Sequence, residues 1–504
     1  MATSLQPDAT AVRVAQGTLR GRRSGGVTAF LGVPFAAAPF GPRRMLPPQP
    51  PAPWDGVRDA LDYGPTATRA DYIPQYVGLF PEPIIPGDEC LNLNVWTPDP
   101  GASGLPVFVW FHGGAFTNGS NAVAAYDGTA FARNGVVLVS VNYRLGAEGF
   151  LYTGPEMANL GLLDQIAALR WVQDNIAAFG GDPAQVTIGG ESAGAMSVVA
   201  LLAVPRAAGL FQRAIAQSGA AANTLAPQTA LLVAKHLAEA LDIAPTREAF
   251  AGLDPDKIVV ASRALLNEVQ TAGDPAKWGA LVQSLLPFAP VVDGDVLPRH
   301  PLDAIRGGAS GDVPLLIGSN LEEARLMLVA SDSIDLIDEA ALHAATAGYG
   351  PPPGPTVAAY RAARPDAGPG DLLAAIVTDW FFRVPAVRVA EARAGAAAAT
   401  WMYRFDWRSP SYDGRFGAAH GVEFPFVFDT ITAPDLTKLI GPNPPQQVAD
   451  ATHAAWVRFV AGGDPGWAPY DPDVRATGRI DGNGAVDVLI DPDGAELRLW
   501  EGHR

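Results

Sequence analysis

One cysteine in 504 residues, Cys90, leaves nothing for an internal disulfide to join, which fits a reducing compartment. No apolar run reaches membrane length, so a spanning helix is excluded. Basic residues are the minority, 35 Lys and Arg against 52 Asp and Glu for a formal net charge of −17. That imbalance supplies no basic face for nucleic acid or an anionic membrane, and Arg22-Arg23 and Arg43-Arg44 read as solvated surface. Residues 1–17 contain Asp8 and no sustained apolar stretch after a basic start, so a secretory signal is not expected and the chain is read as cytoplasmic. Repeats, heptads and charge blocks are missing too. No histidine or cysteine spacing announces a metal site, and neither a metal nor a cofactor is expected.

What is present is a chain 48% hydrophobic and 17% charged, enough for a large core. Apolar runs at 106–110, 136–141, 186–188, 214–216 and 315–317 have the continuous character of strands buried on both faces, as in a mostly parallel sheet. Between the second and third, Leu163, Ile166, Leu169, Val172 and Ile176 recur at helical spacing over 159–179, and Gly180-Gly181-Asp182-Pro183 supplies a stop. This predicts a βαβ crossover and an α/β fold. The Pro- and Gly-rich stretch 348–370 reads as a surface loop, because candidate site residues lie on both sides of it. Residues 1–504 are therefore expected to form one α/β domain.

Gly190-Glu191-Ser192-Ala193-Gly194 sits between the strand-like 186–188 and the helix-like 195–202, the strand, sharp turn and helix of a nucleophile elbow. Glycines on both sides let the chain turn tightly, which presents the Ser192 hydroxyl for acyl transfer. Upstream, a strand ending Val109-Trp110-Phe111 enters His112-Gly113-Gly114-Ala115-Phe116, an HGGG-type loop. Its Gly114 and Ala115 N–H groups, with that of Ala193, are expected to hold an oxyanion, where each such donor is worth roughly 3 kcal/mol in the transition state. A base must follow the serine. Of seven histidines, His112 precedes it, His236, His300, His343 and His453 lie in ordinary helix or loop sequence, and His503 is nearly terminal. His420, among the small residues of Gly417-Ala418-Ala419-His420-Gly421, is the candidate. For the acid that orients it, Glu323 at the end of the 315–317 run is preferred, and by spacing alone Glu322 and Glu423 compete. Glu191, beside the nucleophile, is expected to orient water or the imidazolium.

Together these residues resemble the type-B carboxylesterases of the carboxylesterase/cholinesterase family. The resemblance continues through Phe30-Leu31-Gly32-Val33-Pro34, Glu89-Cys90-Leu91-Asn92, Asn142-Tyr143-Arg144-Leu145-Gly146, Gln217-Ser218-Gly219 and Pro290-Val291-Val292-Asp293-Gly294. It implies an α/β-hydrolase fold: a central, mostly parallel sheet flanked by helices, with helical insertions forming a substrate gorge. It implies a Ser192, His420 and Glu323 triad, oxyanion donors at Gly114, Ala115 and Ala193, and Ser218 near the acid. The family pattern Gly-x-Asn-x-Asp-Glu-Gly falls on Gly318, Asn320, Glu322, Glu323 and Ala324, so Glu322 and Ala324 depart from it and the acid loop is expected to differ in shape. The family's cysteine upstream of Cys90 is missing from Gly64-Pro65-Thr66-Ala67-Thr68, which makes Cys90 an inert buried thiol.

By the same resemblance Leu285, Leu286 and Phe288 line the acyl pocket, with Phe116, Tyr126, Leu326, Met327 and Phe424 as further wall candidates. An apolar, partly aromatic pocket suits short- to medium-chain or aromatic esters. Residues 69–87 hold no tryptophan for a quaternary ammonium, although Tyr72, Tyr76 and Phe80 offer a weaker face. The chain is thus expected to be a serine esterase acting alone, as a monomer, on a small-molecule ester. Its alternatives are a silent binding relative or a long-chain lipase. With an imidazole titrating near ~6.5, activity is expected to fall in mild acid.

Overall fold

The computed structural model describes residues 9–271 and 273–503; the first eight residues of the 1–17 stretch considered for a signal lie outside them. Among the described residues thirteen strands form one sheet. They are β1 (Ala9–Val14), β2 (Gly17–Ser24), β3 (Val27–Pro34), β4 (Val57–Asp59), β5 (Asn92–Thr97), β6 (Leu105–Phe111), β7 (Val137–Val141), β8 (Gly181–Glu191), β9 (Arg213–Gln217), β10 (Leu315–Asn320), β11 (Thr400–Phe405), β12 (Thr477–Ile480) and β13 (Val486–Leu489). The order is β1-β2-β3-β5-β7-β6-β8-β9-β10-β11-β12-β13, with β4 on β2. From β7 to β12 every neighbour is parallel, and antiparallel strands close both ends.

All five apolar runs lie in this parallel block, which explains why they carry no polar alternation. Val107, Val109 and Phe111 pack into one core layer, while Phe108 and Trp110 face the opposite one. The first layer receives the helices Leu160–Asn175 and Ala193–Leu202, through Leu169, Val172, Val198 and Leu201. The second receives Gln446–Gly462 through Trp456 and Phe459. Helix Leu160–Asn175 is the expected crossover, carrying the chain from β7 past β6 to β8, and a 3-10 turn, Ile176–Phe179, finishes it.

Register brings the functional ends together. Phe111 pairs with Gly190, Glu191 with Gln217 and Gly318 with Gln217, so the carboxyl ends of β6, β8, β9 and β10 share one edge, where open α/β sheets hold their ligands. A third apolar cluster, built on helices Pro227–Leu241 and Pro255–Thr271, lies beside that edge.

The 348–370 stretch is not a loop throughout. Residues Pro353–Ala363 form a helix and Pro369–Thr378 another, with prolines in their first turns, where a missing N–H costs nothing. Val357 and Tyr360 bury the inner face. Among the described residues no helix is long and apolar enough to cross a membrane.

Candidate active site

Ser192 stands between β8 and the helix Ala193–Leu202 with φ +56° and ψ −123°, a conformation costly for a residue with a Cβ. Its N–H donates to the Gln217 carbonyl at 2.8 Å, and its carbonyl accepts from the Met196 N–H at 2.9 Å. The strain is therefore carried by the serine itself. Gly190 and Gly194 serve close approach instead: a Cβ on Gly190 would meet the Gly194 carbonyl carbon at 2.5 Å, and one on Gly194 the Phe111 carbonyl oxygen at 2.0 Å. Ala193, fully buried, is the first residue of its helix, where an N–H has no intrahelical acceptor.

The loop after β6 lies directly against this turn, since a Cβ on Gly113 would come within 3.2 Å of the Ser192 Cβ. His112 anchors it. The Tyr143 hydroxyl donates to the His112 carbonyl at 2.7 Å, and the two rings stack 4.5 Å apart. Burial pushes the His112 imidazole down to about 4, so it stays neutral at ordinary pH. Gly114, Ala115 and Phe116 then follow one another at positive φ, +111°, +53° and +61°. That reversal carries the Phe116 side chain away from the cavity into the core, fully buried and 4.7 Å from Phe150.

His420 reaches the same edge from the loop after β11. Its Nδ1 lies 2.7 Å from Glu323 Oε2, its own N–H donates to the Glu323 carbonyl, and Glu323 Oε1 accepts from the Asn320 N–H at 2.7 Å. Its Nε2 lies 3.1 Å from Glu191 Oε1. Glu423 is buried behind, accepting from Asn320 Nδ2 at 2.6 Å and from the Ser218 hydroxyl at 3.4 Å. Three buried carboxylates thus surround one imidazole. Desolvation would lower His420, but Glu191 and Glu323 outweigh it and hold the ring up at about 9. Desolvation raises Glu191 to about 8, against the pull of His420, and with the charge on Glu323 it raises Glu423 to about 7. The expectation of an ordinary histidine near ~6.5 is corrected accordingly.

Glu322 points elsewhere: it pairs with Arg325 at 3.0 Å and accepts from the Ala418 N–H at 3.0 Å, bracing the acid loop against the histidine loop. Ala324 needs no glycine, because its φ of −71° is right-handed. Cys90 is 1% exposed, with burial pushing its thiol up to about 12.

Ser192, Glu191, Gly114, Ala115 and His420 open onto one cavity of about 170 Å³. Tyr126, Leu285, Leu286, Leu326, Met327 and Phe424 line it. Phe116 and Phe288 do not. Phe288 is fully buried in the third cluster and borders a separate small recess beside Leu145 and Ala147. The sequence reading missed Met196, Phe381 and Phe382 on the wall. Tyr72, Tyr76, Phe80 and Glu82 reach it on a flap that a buried Arg69–Glu82 ion pair, 3.1 Å long, ties down. Backbone and side-chain hydrogen bonds between Thr66 and Ile85 close the flap's base. Among the described residues no group of three or more His, Cys, Asp or Glu is placed to hold a metal ion.

Comparison with known proteins follows the same lines. A family model described as the Carboxylesterase family matches residues 8–346 and 361–480. Para-nitrobenzyl esterase of Bacillus subtilis (strain 168) is 35% identical over 495 residues, covering 95% of each chain. Phenmedipham hydrolase of Pseudarthrobacter oxydans is 35% identical over 519 residues, 96% of this chain and 97% of that one. Fumonisin B1 esterase of Sphingopyxis macrogoltabida is 33% identical, over 90% and 83%. Among solved structures, a Geobacillus stearothermophilus carboxylesterase superposes with a TM-score of 0.85 at 37% identity, covering 97% of this chain and all of that one.

Proposed function

The chain belongs to the carboxylesterase family, with its α/β-hydrolase fold, and is a carboxylic ester hydrolase; from that premise we propose that Ser192, His420 and Glu323 are its catalytic triad. The observation that carries the proposal is the 2.7 Å contact between His420 Nδ1 and Glu323 at the sheet edge that also presents Ser192 on its strained turn.

In this reading the Ser192 oxygen attacks the ester carbonyl and its proton passes to His420 Nε2. The carbonyl electrons move onto oxygen, held by the N–H groups of Gly114, Ala115 and Ala193. Collapse breaks the bond to the alcohol, which leaves with the His420 proton; water, deprotonated by the same imidazole, then releases the acid and restores Ser192. Glu323 keeps the Nδ1 proton in place and offsets the imidazolium charge. Glu191 Oε1, 3.1 Å from Nε2, competes with the serine for that nitrogen and favours the protonated ring, so the imidazole acts as base only when Nε2 is unprotonated.

The wall favours uncharged esters of short to medium acyl chains or aromatic acids, because Tyr126 and Phe424, with ring centroids 5.4 Å apart, and Phe80 beyond them line it in a row of rings. One relative's name, para-nitrobenzyl esterase, adds an ester whose aryl group is on the alcohol side, and we extend that class to this chain. With cavity residues drawn from Tyr72 through Leu436, the chain acts as one catalytic unit, and the lone buried Cys90 suits a cytoplasmic setting.

The test is hydrolysis of para-nitrophenyl esters from acetate to palmitate by the wild-type chain and by folded Ser192→Ala. Lost turnover in the variant with an optimum at short chains is expected. Full activity in the variant would remove Ser192 from the mechanism, and a palmitate optimum would favour the lipase reading.

A further inference from the structure

Behind the histidine the chain departs from regular helix. Asp379-Trp380-Phe381-Phe382-Arg383 forms a π-helical turn between the α-helices Pro369–Thr378 and Val384–Ala392. Its local cause is in the sequence: Pro385 has no N–H to give to the preceding turn and its ring crowds the carbonyl four residues back, so the helix widens just before it. The turn is pinned by buried charge. Arg383 Nε and Nη2 donate to the two Asp379 carboxylate oxygens at 2.5 Å each, the Tyr360 hydroxyl also bonds Asp379, and Trp500 Nε1 donates to Tyr360 at 2.9 Å.

Two contacts connect this turn to the site. Thr378, the residue before it, accepts the N–H of Ala324 at 3.1 Å and so fixes it to the loop carrying Glu323. Phe382, 2% exposed, lays its ring against the His420 imidazole with centroids 4.8 Å apart and planes inclined by 39°. The groups around the imidazole divide the work. Glu323 and Glu191 hold its two nitrogens at the ring edge, and Glu423 adds charge from behind. None of the three restrains the ring's face, whereas Phe382 does. An aromatic face within about 6 Å of a cation also attracts it.

We infer that Phe382 is a positioning residue for His420, holding the imidazole's plane and stabilising the imidazolium formed as Ser192 is deprotonated. The charged groups behind it, Asp379 and Arg383, pair with each other, with Asp493 and Glu496 3.7 Å from Arg383, and fix the turn, leaving the Phe382 ring as the part of the turn packed against His420. The inference rests on His420 acting as the base.

The experiment is a kcat and KM profile against pH with para-nitrophenyl acetate for Phe382→Leu, Phe382→Tyr and His420→Ala, with melting curves to establish folding. Phe382→Leu is expected to lower kcat by about three- to tenfold, the range of one cation–π contact, with KM within about twofold and the acidic limb moved to lower pH by about half a unit. Phe382→Tyr, which keeps the ring, is expected to restore both. Should the leucine variant not fold, Phe382→Met, similar in bulk and without a ring, carries the same expectation. An unchanged limb and kcat in the ringless variant, or a tyrosine variant as poor as it, overturns the proposal. Retained turnover in His420→Ala would overturn the triad reading and this inference with it, whereas lost turnover there beside an unmoved Phe382→Leu overturns the inference alone.

Discussion

Replacing Glu191 by glutamine removes the carboxylate whose charge does most to hold the His420 imidazole at about 9, across 3.1 Å from Nε2. The interval between about 9 and an ordinary ~6.5 corresponds to roughly 3 kcal/mol at 1.36 kcal/mol per pH unit. Glu323 and Glu423 remain in the variant and still favour the cation, so only part of that interval is lost, and the acidic limb of kcat/KM should fall by about one to two units. The sign is fixed by the chemistry. With His420 as the proposed base, active when unprotonated, a raised imidazole is expected to place the wild-type limb in the alkaline range, and Glu191→Gln to move it toward neutrality. With the limb near pH ~9 only a few per cent of the imidazole is free at pH ~7.5, and with it near ~7.5 about half is. The high-pH plateau should move the opposite way, down about three- to tenfold, because the imidazolium of the transition state loses a partner. Hydrolysis of phenyl acetate by pH-stat, with the Ser192→Ala rate subtracted at each pH, gives both quantities. A wild-type limb near ~6.5 that Glu191→Gln leaves in place would refute the argument, since the contact would then have no hold on the base.

Other substitutions probe separate parts of the same edge. Gly194→Ala drives a methyl to 2.0 Å from the Phe111 carbonyl oxygen, and a loss of about 3 kcal/mol or more is expected, read as a large fall in melting temperature together with lost turnover. Glu423 is raised to about 7 in the folded chain, so the stability it contributes is present below its unfolded value of ~4.3 and lost as pH rises through about 7. Glu423→Gln should therefore melt progressively higher than the wild type between pH ~5 and ~8, by up to roughly 3 kcal/mol; parallel melting curves would contradict this. Arg69→Met leaves Glu82 buried without its cation, a change of about 3–5 kcal/mol, and limited proteolysis should then cut within residues 69–87 far faster than in the wild type.

The sheet and the elbow were legible because each is a local pattern: continuous apolar runs for strands buried on both faces, and Gly-x-Ser-x-Gly between one such strand and a helix. The glycines were recognised, although the reason differs, since the positive φ falls on Ser192 and the glycines only make room. Phe116 was misplaced because direction depends on backbone sign, and three consecutive residues at positive φ turned it inward. The gathering of Glu191, Glu323 and Glu423 about His420 joins the end of β8 to two loops, of which the nearest pair, carrying Glu323 and His420, is 97 residues apart, a span no window on the sequence covers. Phe381 and Phe382 escaped notice because an ordinary helix would not direct both toward the cavity; the π turn before Pro385 does. The helix Pro353–Ala363 was hidden by prolines that usually mark loops and here occupy a helix start.

The flap over the cavity is fastened by the Arg69–Glu82 pair and the Thr66–Ile85 hydrogen bonds, with the only cysteine, Cys90, buried and without a partner to bridge to. A covalent staple across a loop of that length would withdraw about 3 kcal/mol of disorder from its opened state. Without it, the flap's hold over the cavity rests on non-covalent contacts, the ionic pair and the Thr66–Ile85 hydrogen bonds among them. A reducing agent has no bond to cut there, so substrate entry stays indifferent to the thiol balance of the surroundings.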